Sequence, residues 1–356
     1  MDQELDAMGM LDLIVRPGFC VKDQIVVKCN PAAQALLLRE GMEVAPILAI
    51  GKTEYSEFTG GCLYLTLDIF GVQAGASVYR RGEYDIFILD GETDQPELQA
   101  LSLAARELRE PLSGIMATAD RLFPMPVLQE DPALREQVAR MNRGLYQMLR
   151  IIGNMSDAGR GTTPTPQLEI LDIPSTLQEI FDRAAELVSH GGFQLRFENL
   201  THNLYALANG EKLERAVLNI LSNAMKFTPA GGTIEAKLFR RGLHLYLSVQ
   251  DSGEGIPDAI RGSIHRRYLR QPGIEDRRHG IGLGMVLIRN AAAIHGGTVL
   301  IDHPEDSGTR ITMSLAIRQD ASNLRSPLLR IDYAGERDHG LVEFSDLLPA
   351  SLYESK

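Results

Sequence analysis

The chain has 356 residues, 44% hydrophobic and 23% charged, with three cysteines and a formal net charge of −11. That length fits two or three domains of ordinary globular composition. No run approaches the roughly 20 apolar residues of a membrane span, and no basic segment followed by an apolar run opens the chain as a secretion signal would. The negative balance argues against non-specific nucleic-acid binding, so the expectation is a soluble, cytoplasmic protein.

In chain order, residues 24–30 form a strand-like run, and Asn30-Pro31 then opens a helix over Ala32–Leu38, with Asn30 as cap and Pro31 at the first helical position. Cys62–Phe70 and Tyr84–Leu89 alternate apolar residues and β-formers and predict two further strands. Cys20, Cys29 and Cys62 follow no metal or redox spacing and are expected to be buried, reduced thiols.

Residues 95–123 carry a seam of Leu98, Leu101, Ala105, Leu108, Leu112, Ile115, Ala119 and Leu122, at alternating steps of three and four. Residues 132–157 repeat it with Leu134, Val138, Met141, Leu145, Met148, Ile152 and Met155. A breaker-rich turn, Phe123-Pro-Met-Pro-Val-Leu-Gln-Glu-Asp-Pro132, separates them. The pattern predicts an antiparallel helical hairpin whose half-exposed seam is satisfied by a second copy, giving a four-helix bundle and a homodimer through residues 95–157. A Gly/Thr/Pro linker follows at 159–166.

Three blocks then bear on ligand chemistry. Residues 218–229 read Leu-Asn-Ile-Leu-Ser-Asn-Ala-Met-Lys-Phe-Thr-Pro, and Asn219, Asn223 and Lys226 fall on one helix face. An amide oxygen is a hard ligand suited to Mg²⁺, and Lys226 can neutralise phosphate charge. Residues 251–257 read Asp-Ser-Gly-Glu-Gly-Ile-Pro after a strand at Leu243–Gln250. Asp251 at the strand end can accept the exocyclic amino group of adenine, and Gly253 and Gly255 let backbone approach a base. Gly280-Ile-Gly282-Leu283-Gly284 leads into a helix over Met285–Ile294 and can present free N–H groups to phosphates. Arg261, Arg266, Arg267, Arg270, Arg277 and Arg278 lie between the glycine blocks and suggest a lid that pairs with phosphate.

Together these blocks resemble the ATP-binding domain of sensor histidine kinases. The resemblance covers residues 95–318 by motif and 10–92 by the element order of a PAS sensor domain. It implies an α+β fold: a PAS-like α/β sensor domain at 1–93, a dimerisation helical hairpin at 94–160, and a two-layer α/β sandwich of the Bergerat ATP-binding type at 161–318. The tail, 319–356, lies outside the resemblance, yet its Leu328, Leu329, Ile331, Tyr333, Leu341, Val342, Phe344, Leu347 and Leu348 are too apolar for a disordered segment and predict docking. The resemblance makes Asn223 the Mg²⁺ ligand, sets Asn219 and Lys226 near the phosphates, adds Arg270, Gly280, Gly282, Leu283 and Gly284 to the nucleotide contacts, and brings Thr309 toward adenine. ATP and Mg²⁺ are the implied cofactors, and a response regulator or partner kinase the implied further partner.

The family's acceptor segment reads roughly Ser-His-Glu-Leu-Arg-Thr-Pro-Leu, and residues 105–112 read Ala-Arg-Glu-Leu-Arg-Glu-Pro-Leu. Arg106 occupies the histidine's place beside Glu107, the neighbouring catalytic position, and Glu110 replaces the Thr or Asn of the phosphatase reaction. Arginine stays protonated and cannot attack phosphorus. The first histidine of the chain is His190, beyond the bundle. Within the lid, His265 and Tyr268 replace two phenylalanines usual in the family. Three readings stay open: an ATP-binding pseudokinase, a kinase acting in trans on a histidine of another chain, and an ATPase or serine-directed kinase of the same superfamily. Asn219 weighs against the ATPase, because gyrase-type enzymes carry a glutamate base there and an amide cannot accept a proton.

Overall fold

The computed structural model describes residues 9, 11–12, 14–90, 94–125, 130–158, 168–201, 204–255, 283–304, 308–318 and 337–354. The N-terminal unit starts with β1 (Gly18–Lys22) and β2 (Ile25–Cys29), joined by Asp23 and Gln24 at φ 51° and 67°. Two successive positive φ values match the twist of a tight hairpin. Asn30 caps α1 (Pro31–Ala35): its Oδ1 accepts the Ala33 N–H at 2.9 Å and the Gly18 N–H at 3.0 Å. The helix stops at Ala35 rather than Leu38, because Leu37 takes φ 66° and turns the chain away.

Next come β3 (Leu48–Ile50), α2 (Lys52–Ser56), β4 (Cys62–Ile69), β5 (Val72–Arg81) and β6 (Tyr84–Leu89). The strands run antiparallel in the order β2-β1-β6-β5-β4. One face packs around Phe19, Leu65, Leu67 and Phe87, the two phenylalanine rings stacked at 4.7 Å. All three cysteines are free and buried, and burial pushes the Cys62 thiol up to about 12.

The hairpin is α3 (Asp94–Leu122) and α4 (Pro132–Ala158). Its seam divides. Ala105, Leu112 and Ala119 bury with Leu145, Leu149 and Ile152, while Leu108, Ile115 and Leu122 stay 49%, 50% and 44% exposed.

The C-terminal unit runs β7 (Glu169–Asp172), α5 (Ile173–His190), β8 (Gln194–Asn199), β9 (Tyr205–Ala208), α6 (Gly210–Phe227), β10 (Thr233–Arg241), β11 (His244–Asp251), α7 (Gly284–Ile294), β12 (Val299–Asp302) and β13 (Arg310–Ala316). Its main sheet is ordered β12-β13-β11-β10-β8, with only the β10–β8 pair parallel, and β7 pairs β9 separately. The helices bury Leu177, Phe181, Val217, Leu221 and Ile288 against Ile234, Leu247 and Met313 of the strands. The fold is α+β.

The two sheets join. β12 pairs β4 antiparallel, with Val299, Leu300 and Ile301 opposite Tyr64, Leu63 and Cys62, so all the described strands but β7 and β9 form one 11-stranded sheet. The Arg289 guanidinium lies 4.7 Å over the Tyr64 ring, and the Tyr246 hydroxyl donates to Glu54 at 2.9 Å.

The tail docks. Val342 of α8 (His339–Glu343) is buried, as are Phe344, Leu348 and Tyr353 beyond it. Asn142 Nδ2 donates to the Tyr353 carbonyl at 2.9 Å, and Tyr146 meets the Tyr353 ring edge-on at 5.1 Å. Leu328, Leu329, Ile331 and Tyr333 lie outside the described residues.

Candidate nucleotide site

Asp251 ends β11 in a buried position. Its Oδ1 accepts the Gly253 N–H at 2.9 Å and the Thr309 N–H at 3.1 Å, while its own N–H donates to the Thr309 carbonyl at 3.0 Å. Burial raises its pKa, and the two N–H donors oppose that rise. Both donors land on one oxygen, Oδ1, which fixes the carboxylate. The surrounding glycines are steric requirements. A side chain on Gly253 would meet the Phe227 carbonyl, and one on Gly255, at φ 77°, would meet the His303 ring.

The opposite wall is α6. Asn209 caps it, accepting the Lys212 N–H at 2.9 Å. Arg215, Asn219, Ser222 and Lys226 recur at helical spacing along one stripe. Asn219 is buried, and its Nδ2 donates to the Arg215 carbonyl at 2.9 Å. Its Oδ1 faces the start of α7, where a Cβ on Gly284 would come within 2.9 Å. Gly284 therefore lets α7 begin against the asparagine. Asn223 is half-buried one turn on from Asn219. Burial and then Arg150 push Lys226 down to about 8, against the pull of Asp346 and Glu343.

Leu283 is buried with Leu98, Ala158 and Val286, so its side chain ties α7 to the bundle. Arg270, Gly280 and Gly282 lie outside the described residues, as do the other lid arginines, His265 and Tyr268.

The stripe on α6 is covered by α4 and the tail. Arg215 pairs with Asp157, and its Nη2 donates to Asn154 Oδ1 at 2.7 Å. The fully buried Glu343 carboxylate sits between guanidiniums, 3.4 Å from Arg150 Nε and 3.7 Å from Arg215 Nε, with Oε2 3.5 Å from Asn219 Nδ2. Arg150 Nη1 also donates to Asp346 Oδ2 at 2.5 Å. Sequence reasoning missed Arg150, Arg215, Glu343 and Asp346. Only Arg215 carried a signal, standing one turn before Asn219 on the same face.

Residues 208–319 match the family model for histidine kinase-, DNA gyrase B- and HSP90-like ATPases. The chain is 27% identical over 234 residues to the hybrid signal transduction histidine kinase D of Dictyostelium discoideum, covering 64% of this chain and 15% of that protein. It is 28% identical over 226 residues to the signal transduction histidine-protein kinase/phosphatase MprB of Mycolicibacterium vanbaalenii, covering 61% and 45%. Residues 208–319 thus carry an ATPase domain of this type, and the chain is similar to sensor histidine kinases. The histidine protein kinase DivJ of Caulobacter vibrioides is 27% identical over 261 residues, covering 70% of this chain and 42% of the relative. The chain thus spans less than half the length of these three curated relatives. The structure of full-length ShkA in complex with AMPPNP shares the fold at TM-score 0.51 and 21% identity, covering 63% of this chain and 46% of that one.

Arg106 and Glu107 are both exposed on α3. Among the described residues, no hydrogen bond or ion pair joins either of them to α6. The structure brings together Asp251, Gly253, Gly255 and Thr309 at one end, and Asn219, Lys226 and Gly284 at the other, with Asn223 on the same helix; Arg106 and Glu107 stand apart.

Proposed function

We propose that this chain binds Mg-ATP through Asp251 and the α6 stripe and transmits a signal by shape, without phosphorylating itself. The observation that carries the reading is the fixed Asp251 carboxylate, with two backbone N–H groups on Oδ1 and Oδ2 left to accept an amino group. Adenine offers that amino group and guanine a carbonyl. Lys226 supplies positive charge at the phosphate end, and Arg270, Gly280, Gly282 and Gly284 are the expected further contacts. The half-buried Asn223 amide is a hard donor that would hold Mg²⁺, which when bound would neutralise phosphate charge. Asn219 cannot take a proton from water, so the site holds ATP rather than hydrolysing it.

Degeneracy rests on Arg106. A guanidinium offers no lone pair to the γ-phosphate. An N-terminal PAS-like sensor, supported by five antiparallel strands with an Asn-capped helix after the first hairpin, would feed the bundle. A homodimer through residues 95–157 is supported by the exposed row of Leu108, Ile115 and Leu122. A response regulator or partner kinase would read the result. Calorimetry with ATP and GTP tests the reading: binding of ATP with rejection of GTP is expected, and equal affinity for both would remove Asp251 from the site.

A further inference from the structure

The C-terminal residues 338–353 cross from α6 to α4 at the phosphate end of the candidate site. At the α6 end, His339 Nδ1 lies 2.8 Å from Glu214 Oε2, and Asp338 caps the short α8 by accepting the Leu341 N–H at 2.9 Å. In the middle, Glu343 lies between Arg150, Arg215 and Asn219, and Asp346 pairs with Arg150. At the α4 end, Arg143 Nε donates to the Ser345 carbonyl at 2.8 Å and its Nη2 to the Asp346 carbonyl at 2.9 Å.

A buried carboxylate is tolerated only where cations and donors replace its water. The groups that do so here include Asn219, with Lys226 in the same field. Both are groups on which the phosphates of ATP would also draw. Two carboxylates therefore stand where phosphate charge is expected, and they belong to a segment that binds both the bundle and the ATP domain.

We infer that residues 338–353 form a strap that competes with the phosphates of ATP: Glu343 and Asp346 substitute for phosphate charge, hold the ATP domain on α4, and are displaced when ATP binds. This rests on the ATP reading above. Burial of Val342, Phe344 and Leu348 favours the docked strap, so the strap lowers ATP affinity in the full chain by the factor by which it must be displaced. By linkage, ATP loosens the strap by the same factor. ATP would then free the ATP domain from the bundle without any phosphoryl transfer.

The test uses the full chain and Mg-ATP. Calorimetry would compare the unaltered protein, the Glu343→Gln/Asp346→Asn double variant and Arg143→Ala. Arg143 lies on α4 and donates to the Ser345 and Asp346 carbonyls of the strap, so its variant decides the matter even if the buried double variant fails to fold. Both variants should bind ATP about tenfold more tightly, within the range usual for coupled sites. Saturating ATP should also raise hydrogen exchange at amides 341–348 of the unaltered protein. Equal or weaker binding in Arg143→Ala, with strap protection unmoved by ATP, would overturn the strap while leaving the nucleotide site standing. Absence of ATP binding in all three proteins would overturn the nucleotide reading itself, and the strap with it.

Discussion

Leu63 of β4 and Leu300 of β12 are cross-strand partners, and through them the N-terminal sheet and the sheet of the ATP domain become one. Gly51 lies at this junction with φ 99°, and a Cβ there would press on Thr298 Cγ2 and on Leu65. Gly51→Ala combines a left-handed backbone with that clash and should cost about 1–3 kcal/mol of stability. Gly41→Ala, at φ 84° with open space around it, carries the backbone term alone and should cost less. Denaturant unfolding of both variants checks the difference. Equal losses would mean that contact across the junction contributes nothing.

If the hairpin pairs as proposed, the divided seam of α3 separates dimerisation from folding. Leu108 and Ile115 are about half exposed, whereas Leu112 is buried inside the hairpin. Leu108→Glu/Ile115→Glu should leave the helices intact and convert the proposed dimer to monomer by light scattering. Leu112→Glu buries a charge and should unfold the hairpin, at several kcal/mol. A dimer that survives the first pair would place the interface elsewhere.

Lys226 gives a pH signature. Burial, reinforced by Arg150, holds its pKa near 8, below the ordinary lysine value of 10.5. Below about pH 8 the folded and unfolded chains both carry the proton, and the full burial cost of the charge is present. Between about 8 and 10.5 the folded chain sheds the proton first, the unfolded chain binds more protons, and this group's contribution to stability rises with pH. Lys226→Met should abolish that rise in pH-dependent denaturation curves. Affinity for ATP should move the other way, weakening as the ammonium is lost.

Asp251→Asn tests the adenine end. The amide oxygen can still accept from Gly253 and Thr309, but an NH₂ then replaces Oδ2 and opposes the adenine amino group. Loss of that charge-assisted bond should weaken ATP binding by about 1–3 kcal/mol. Calorimetry measures it, and an unchanged affinity would move the base-recognition group to another residue.

What was legible in the sequence was local. The heptad steps predicted both bundle helices, and the glycine blocks with Asn219, Asn223 and Lys226 predicted the ATP domain. The β4–β12 pairing was not legible, because Cys62–Tyr64 and Val299–Ile301 are ordinary β-formers far apart in the chain and any such runs can pair. The placement of Glu343 and Asp346 was hidden for a similar reason. An acidic residue in a tail looks solvated until tertiary packing brings Arg150 and Arg215 around it. The apolar residues of the tail did predict docking, though not where. The α1 boundary failed at Leu37, whose positive φ no helix-propensity argument anticipates.

The central claim is that the chain holds ATP but does not label itself. Equilibrium binding with γ-labelled ATP, counted before and after denaturation in alkali, tests it most directly, because alkali releases bound nucleotide but preserves phosphohistidine. Label is expected on the native protein and none after denaturation. Label that survives alkali and is then lost in acid would contradict it, and mapping that label would identify an acceptor other than Arg106.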